Sequence, residues 1–381
     1  MKKLMLIGLL CLTITVSALA EGTVYTATGD DESAIDLSGS DQLTLSGVTV
    51  RKTEGKASSA DAASFRGVNA AVRVYDSATL TLTDSVVEAA AANATGVFAY
   101  DHGTIYMTDC DITVTGGGAG GVQVAGGGTL IGSNLTVTSA SKAAIRSDRG
   151  GGTLTLDGGA YTSTGTNGCP AIYSTADITV SNAVCVSEQS RAVIIEGKNS
   201  VTLNNVTLEG NDQSTKEGSV RANVLLYQSA SGDASEGTSV FTMNGGQMTA
   251  HSGAMFYCTN TDSVINLNDA VLNLSDDGTL LIVSAGRWGK EGRNGGDCVL
   301  NAENQTLTGD ITVDGLSSLQ MNLLDSAYTG AITGEGDVTV TLTGNSAWTL
   351  TGDSVVSAFN GDLEKVVLNG YTLTIGGVAL Q

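Results

Sequence analysis

Asp177-Ile-Thr-Val-Ser-Asn182 is followed 23 residues later by Ser200-Val-Thr-Leu-Asn-Asn205, the same phrase in other letters. Each copy carries two apolar residues two positions apart, polar residues around them, and an Asn, Asp or Gly to close. Working outward, the phrase returns as Leu43-x-Leu45-x-Gly47, Leu80-x-Leu82-x-Asp84, Ile105-x-Met107-x-Asp109, Leu154-x-Leu156-x-Gly158, Phe241-x-Met243-x-Gly245 and Ile265-x-Leu267-x-Asp269. Leu130-x-Gly132-x-Asn134 is a weaker copy, and from Asp84 to Asn205 the closing residue steps by 25, 25, 24, 24 and 23. Period-two alternation sends one row of side chains inward and the other outward. A single unit cannot bury its inward row, but a stack of units can. The sequence therefore predicts an all-β solenoid, a right-handed parallel β-helix of about 10–13 coils of ~24 residues. The closing Asn, Asp or Gly suits a left-handed backbone at the bend, which these residues tolerate best.

Composition agrees. Fifty glycines, one proline and few aromatics suit short strands and tight corners. Residues 1–20 read as an export signal: Lys2-Lys3, an apolar run from Leu4 to Val16, and Ala18-Leu19-Ala20 as the cleavage site. An exported chain starting at Glu21, extracellular or on the cell surface, is the expectation. Residues 21–309 would form the regular β-helix. Residues 310–381, where the period blurs, would form irregular coils capping its end. The formal charge is −21, which loss of Lys2 and Lys3 takes to −23. Nucleic acid is excluded as a partner on that ground, and no later stretch suits membrane insertion. Cys110, Cys169, Cys185, Cys258 and Cys298 fall at different phases of the repeat. Stacking brings no obvious pair together, and buried reduced thiols acting as small apolar fillers are expected ahead of disulfides.

With these phrases in place, the chain resembles the right-handed parallel β-helices of the pectin-lyase-like superfamily. Ala143-Ala-Ile-Arg-Ser-Asp-Arg-Gly-Gly-Gly152, Pro170-Ala-Ile-Tyr-Ser-Thr-Ala176 and Glu196-Gly-Lys-Asn-Ser-Val-Thr-Leu203 are similar to exported adhesin-like β-helix proteins of gut bacteria. The resemblance implies a fold and a location. It carries over no active site: Asn260-Thr261-Asp262 and Asp276-Asp277 echo the polygalacturonases, but at a shorter spacing and without their Gly-His-Gly or Arg-Ile-Lys.

Stacking the units places Arg73, Phe98, Gln123, Arg146 and Tyr173 in one outward column, with Tyr75, Tyr100, Asp148, Glu196 and Tyr227 beside it. Flat aromatic surfaces mixed with charged hydrogen-bonding groups are what sugar-binding faces present. Two insertions, Ser231 to Thr238 and Arg287 to Asp297, leave one corner and are expected to wall this strip. The candidate ligand-binding residues are Arg146, Asp148, Arg149, Tyr173, Glu196, Lys198, Tyr227, Gln228, Asn260, Arg287 and Trp288. The insertions Arg51 to Gly67 and Asn211 to Ala222 receive no role. The expected function is adhesin-like binding of an extracellular glycan, or of a host or bacterial surface ligand, by a monomer without catalysis or cofactor. A polysaccharide lyase or glycoside hydrolase using Asp148, Arg149, Glu196 and Lys198 is the first alternative, a structural spacer or assembly subunit the second. Calcium is the cation to consider, at Asp84, Asp109 and Asp111.

Overall fold

The computed structural model describes residues 15–19, 22–166, 168–215 and 219–380. It is a parallel β-helix. Every coil lays down a strand on a first face, bends, lays down a strand on a second face, and returns along a third. The Thr-Leu-Thr-Leu phrases form the first face. Thr79–Thr83 pairs in parallel with Thr104–Thr108, which pairs with Gly128–Ser133, and so on to Asp337–Thr343. The third face is a 12-stranded parallel sheet running from Ile35–Leu37 to Ile332–Gly334. Most of the expected leader lies outside the described residues. Its Thr15–Leu19 portion forms a strand beside Gln42–Ser46.

The bend between first and second faces is the repeat's closing residue. Asp84, Asp109, Asn134, Asn182, Asn205 and Asp269 all have φ between 50° and 54°, and Gly47, Gly158 and Gly245 lie at 65–72°. The ladder continues through Asn304, Asp325 and Gly344, at φ 52°, 48° and 62°. The coils past residue 304 therefore shorten but keep the corner and the register. The last edge turns back on itself, where Leu373–Ile375 pairs antiparallel with Val378–Leu380.

Inward rows meet in one continuous core along the axis. Leu80, Leu82, Ile105, Leu154, Leu156, Val201, Leu203 and Leu300 are fully buried. Insertions account for the uneven spacing of the phrases. The first contains a helix, Ala60–Arg66, capped by the Ser59 side chain on the Ala62 N–H and closed by Gly67 at φ 65°.

All five later cysteines are buried and unbonded. Stacking phase suggests no obvious pair, but one pair meets. Cys258 and Cys298 have their sulfurs 3.7 Å apart. Phase along the repeat was the wrong criterion, because the interior is narrow enough for residues on different faces to touch across a corner.

Candidate functional site

The third face presents the expected column in register. Arg73 lies beside Phe98, Phe98 beside Gln123, Gln123 beside Arg146 and Arg146 beside Tyr173. It continues through Ile194, Leu225, Tyr257 and Ile282. Register alone does not make it an open surface. Phe98 is fully buried, packed with Ala70 and Ala125 against Gly67. Gln123 is 1 % exposed and donates from Nε2 to the Ser64 carbonyl at 2.8 Å. Lys142 Nζ donates to Ser64 Oγ at 2.7 Å, and Arg149 stacks on Phe65 at 4.4 Å. The Arg51 to Gly67 insertion, left without a role by the sequence, thus roofs the first half of the column with its helix.

Beyond that roof the column forms a second apolar cluster, outside the solenoid core. Ile194, Leu225 and Tyr257 pack with Tyr227, Ala222 and Ala254, and Tyr173, Val220, Ile282 and Trp288 close over them. Trp288 reaches this cluster from the Arg287 insertion. Its ring centroid lies 5.4 Å from that of Tyr227 at 42°, and the Arg287 guanidinium lies over the indole, 4.4 Å from its centroid. The insertion is built to hold that pose. Buried Asn294 donates to the carbonyls of Gly286 at 2.6 Å and Trp288 at 2.9 Å. Gly289, at φ 79°, passes so close to the Asn260 amide that a Cβ there would collide with it.

A cleft of about 150 Å³ opens between Trp288, Tyr227, Tyr173, Arg191 and Asp212. Arg191 Nε lies 3.1 Å from Asp212 Oδ2, off the axis of its N–H, while its Nη2 donates to the Val220 carbonyl at 2.6 Å. Burial lowers the Arg191 pKa and nearby Arg287 adds to the effect, with Asp212 opposing both. Asp212 and Val220 belong to the Asn211 to Ala222 insertion, the second one without an expected role. Ile194, Leu225, Tyr257, Arg191 and Asp212 were missed by the sequence reading. A signal existed: Val193-Ile-Ile and Val224-Leu-Leu are unbroken apolar runs, which mark a strand covered on both sides.

Glu196 sits beneath the cleft, 1 % exposed. Tyr227 donates to its Oε2 at 2.9 Å, and Tyr173 donates to the same oxygen. Ser229 and, at 3.3 Å, Ser231 donate to Oε1. Four hydroxyls fill the acceptor capacity of one carboxylate. Both tyrosine hydroxyls are thereby turned inward as donors, so they offer a ligand only lone pairs. Burial pushes the Tyr173 and Tyr227 hydroxyls up, and the neighbouring Glu196 carboxylate adds to this.

The other expected residues distribute unevenly. Arg146 stacks 4.6 Å over Tyr173 and holds Asp148 at 2.7 Å, and Asp148 is 2 % exposed. Arg149 turns away to Asp233 at 2.6 Å. Lys198 is exposed and packs along Gly237. Gln228 and Asn260 line a second, polar hollow of about 310 Å³ with Glu236, Arg293 and Asp297, where Asn260 Nδ2 donates to the Gln228 carbonyl at 2.7 Å. Asp148 is buried and held by Arg146, Glu196 is buried with its acceptor capacity filled, and Arg149 and Lys198 point elsewhere. The structure does not assemble these four into an acid–base team. Asp84 and Asp109 occupy successive corners, and no group of three or more His, Cys, Asp or Glu side chains converges among the described residues. Compared with known proteins, the chain matches no family model, no curated protein and no solved structure.

Proposed function

We propose that this chain is an exported, adhesin-like binding protein that takes an extracellular glycan in the Trp288–Tyr227–Tyr173 cleft without transforming it. The observation that carries the reading is the apolar cluster built outside the core. A β-helix coil needs no tryptophan clamped over a tyrosine on its outer surface, and two separate insertions converge to make this one. Aromatic faces take the apolar face of a sugar ring, while Arg191 and the lone pairs of the tyrosine hydroxyls suit its hydroxyl edge. The opening is small for a whole ligand, which fits one ring of a longer chain lying along the coil. Saturation of Glu196 supports binding over hydrolysis, because a carboxylate holding four donors has no free lone pair for substrate.

The test is retention of residues 21–381 on mucin, plant and microbial polysaccharides, with and without calcium, with reducing and unsaturated chain ends assayed in the same samples. Retention without new ends is expected. Trp288→Ala should lower affinity at least tenfold, about 1.4 kcal/mol, while leaving the melting temperature within a degree or two. New chain ends would make the protein an enzyme. Undiminished retention by Trp288→Ala would remove the cleft from consideration.

A further inference from the structure

Cys258 ends the inward row of the third-face strand Ala254–Thr259, just before the chain turns at Asn260. Cys298 stands one coil further on, in register with Ser263 on the first face. Serines occupy that inward corner position in the two coils before it, Ser239 and Ser263. Cys298 interrupts this run of hydroxyls, and it does so where Cys258 faces it. The two sulfurs are 3.7 Å apart, and the side chains are 0 % and 2 % exposed. Two of the other cysteine sulfurs face backbone carbonyls instead: Cys110 those of Leu82 and Thr108, Cys169 that of Ser141. A disulfide requires ~2.05 Å between sulfurs, so the two must close by less than 2 Å from the 3.7 Å at which they stand.

We infer that Cys258 and Cys298 close an intrachain disulfide when the chain folds in an oxidising compartment. Both S–H bonds break and one S–S bond forms. The two electrons and two protons pass to the disulfide of a thiol–disulfide oxidoreductase or to oxidised glutathione, which leaves as thiols. The bond closes a ring whose ends are 40 positions apart in the chain. The whole Arg287 to Asp297 insertion lies inside that ring, so the cross-link anchors the base of the Trp288 wall. This inference does not depend on what the cleft binds.

Timing follows from the burial. The hydrogen bond shared with Cys258 and desolvation raise the Cys298 thiol well above its ordinary range. Burial also pushes Cys110 up to about 11 and Cys185 up to about 12. Exchange needs an accessible thiolate, and both sulfurs are buried, so oxidation belongs to folding, before the coil closes, and the finished protein resists both oxidation and reduction.

The experiment is a thiol count on protein exported into an oxidising compartment. The protein is denatured in excess alkylating reagent without reductant, weighed intact, digested and mapped. The expected result is three alkylated cysteines, Cys110, Cys169 and Cys185, with one peptide pair joined through Cys258 and Cys298. After reduction in denaturant all five alkylate, and protein refolded with its thiols kept reduced should melt several degrees lower. Five alkylated thiols before reduction, or a bridge between any other two cysteines, would overturn the inference. The count needs only the wild-type chain. Cys298→Ala provides the cross-check, with Cys258 joining the alkylated set.

Discussion

At the scale of single residues, the corner ladder and the buried polar groups carry the sharpest expectations. Asn182 bends the chain at φ 52°, donates to Asp157 Oδ1 at 2.7 Å and accepts from Asn205 Nδ2 at 3.1 Å. A β-branched side chain there meets a left-handed penalty of about 1–2 kcal/mol and loses both contacts. Asn182→Val should therefore unfold at lower denaturant, whereas Asn182→Gly, which keeps the backbone but not the bonds, should lose less. Equal midpoints for Asn182→Val and wild type would refute this. Lys142 gives a pH signature. Burial, with the Arg146 charge beside it, lowers its pKa from 10.5 to about 8, against opposing contributions from Asp148 and Cys169. Between pH 8 and 10.5 the unfolded chain holds the proton that the folded chain has released. The Lys142 contribution to stability must rise with pH across that window. Wild type compared with Lys142→Met should gain stability on going from pH 7 to pH 10, and a pH-independent difference would contradict the assignment.

At the scale of elements, the insertions divide the third face between them. The helix Ala60–Arg66 is fastened by Gln123 from one coil and by Lys142 and Arg149 from the next, and it hides Phe98. The Arg287 insertion is fastened by Asn294 from within. Asn294→Ala removes both hydrogen bonds that shape the loop, at a cost on the order of 1–2 kcal/mol. Most of that cost falls on the loop. Glycan retention should therefore drop more than the melting temperature, and the tryptophan emission should shift to the red as Trp288 leaves Tyr227. Unchanged retention and emission would show that the loop holds its shape by other means. The Arg287 insertion and its corner neighbour, Ser231 to Thr238, were conspicuous in the sequence because Trp288 and its basic neighbours stand out in an acidic chain. The other two were not, since nothing local in Arg51 to Gly67 or Asn211 to Ala222 announces which face they fold across.

The whole molecule is a column whose ends differ from its sides. At the far end the antiparallel return of Val378–Leu380 occupies the last edge strand. At the near end Asp30, Asp31 and Glu32 put exposed negative charge beside the first coil. An occupied edge and a charged end both oppose strand addition. Residues 21–381 should therefore sediment as a single monomeric species, and concentration-dependent dimers or longer rods would favour an assembly role. No helix among the described residues is long and apolar enough to cross a membrane.

The sequence by itself determined the solenoid, the place of each corner and the rung on which each outward residue stands. These are periodic properties, and a period of two within a period near 24 has few other ways to bury its apolar row. Asp84 and Asn182, with short polar side chains, and Gly245, with no Cβ, tolerate left-handed backbone, a local matter legible in the chain itself. What covers a rung is not local. Phe98 lies under a helix, Glu196 lies under four hydroxyls, and Cys258 touches Cys298 because distant segments return to the same few ångströms. Only the tertiary structure decided which residues of the predicted strip face solvent, which became a floor, and that a second apolar cluster exists outside the first.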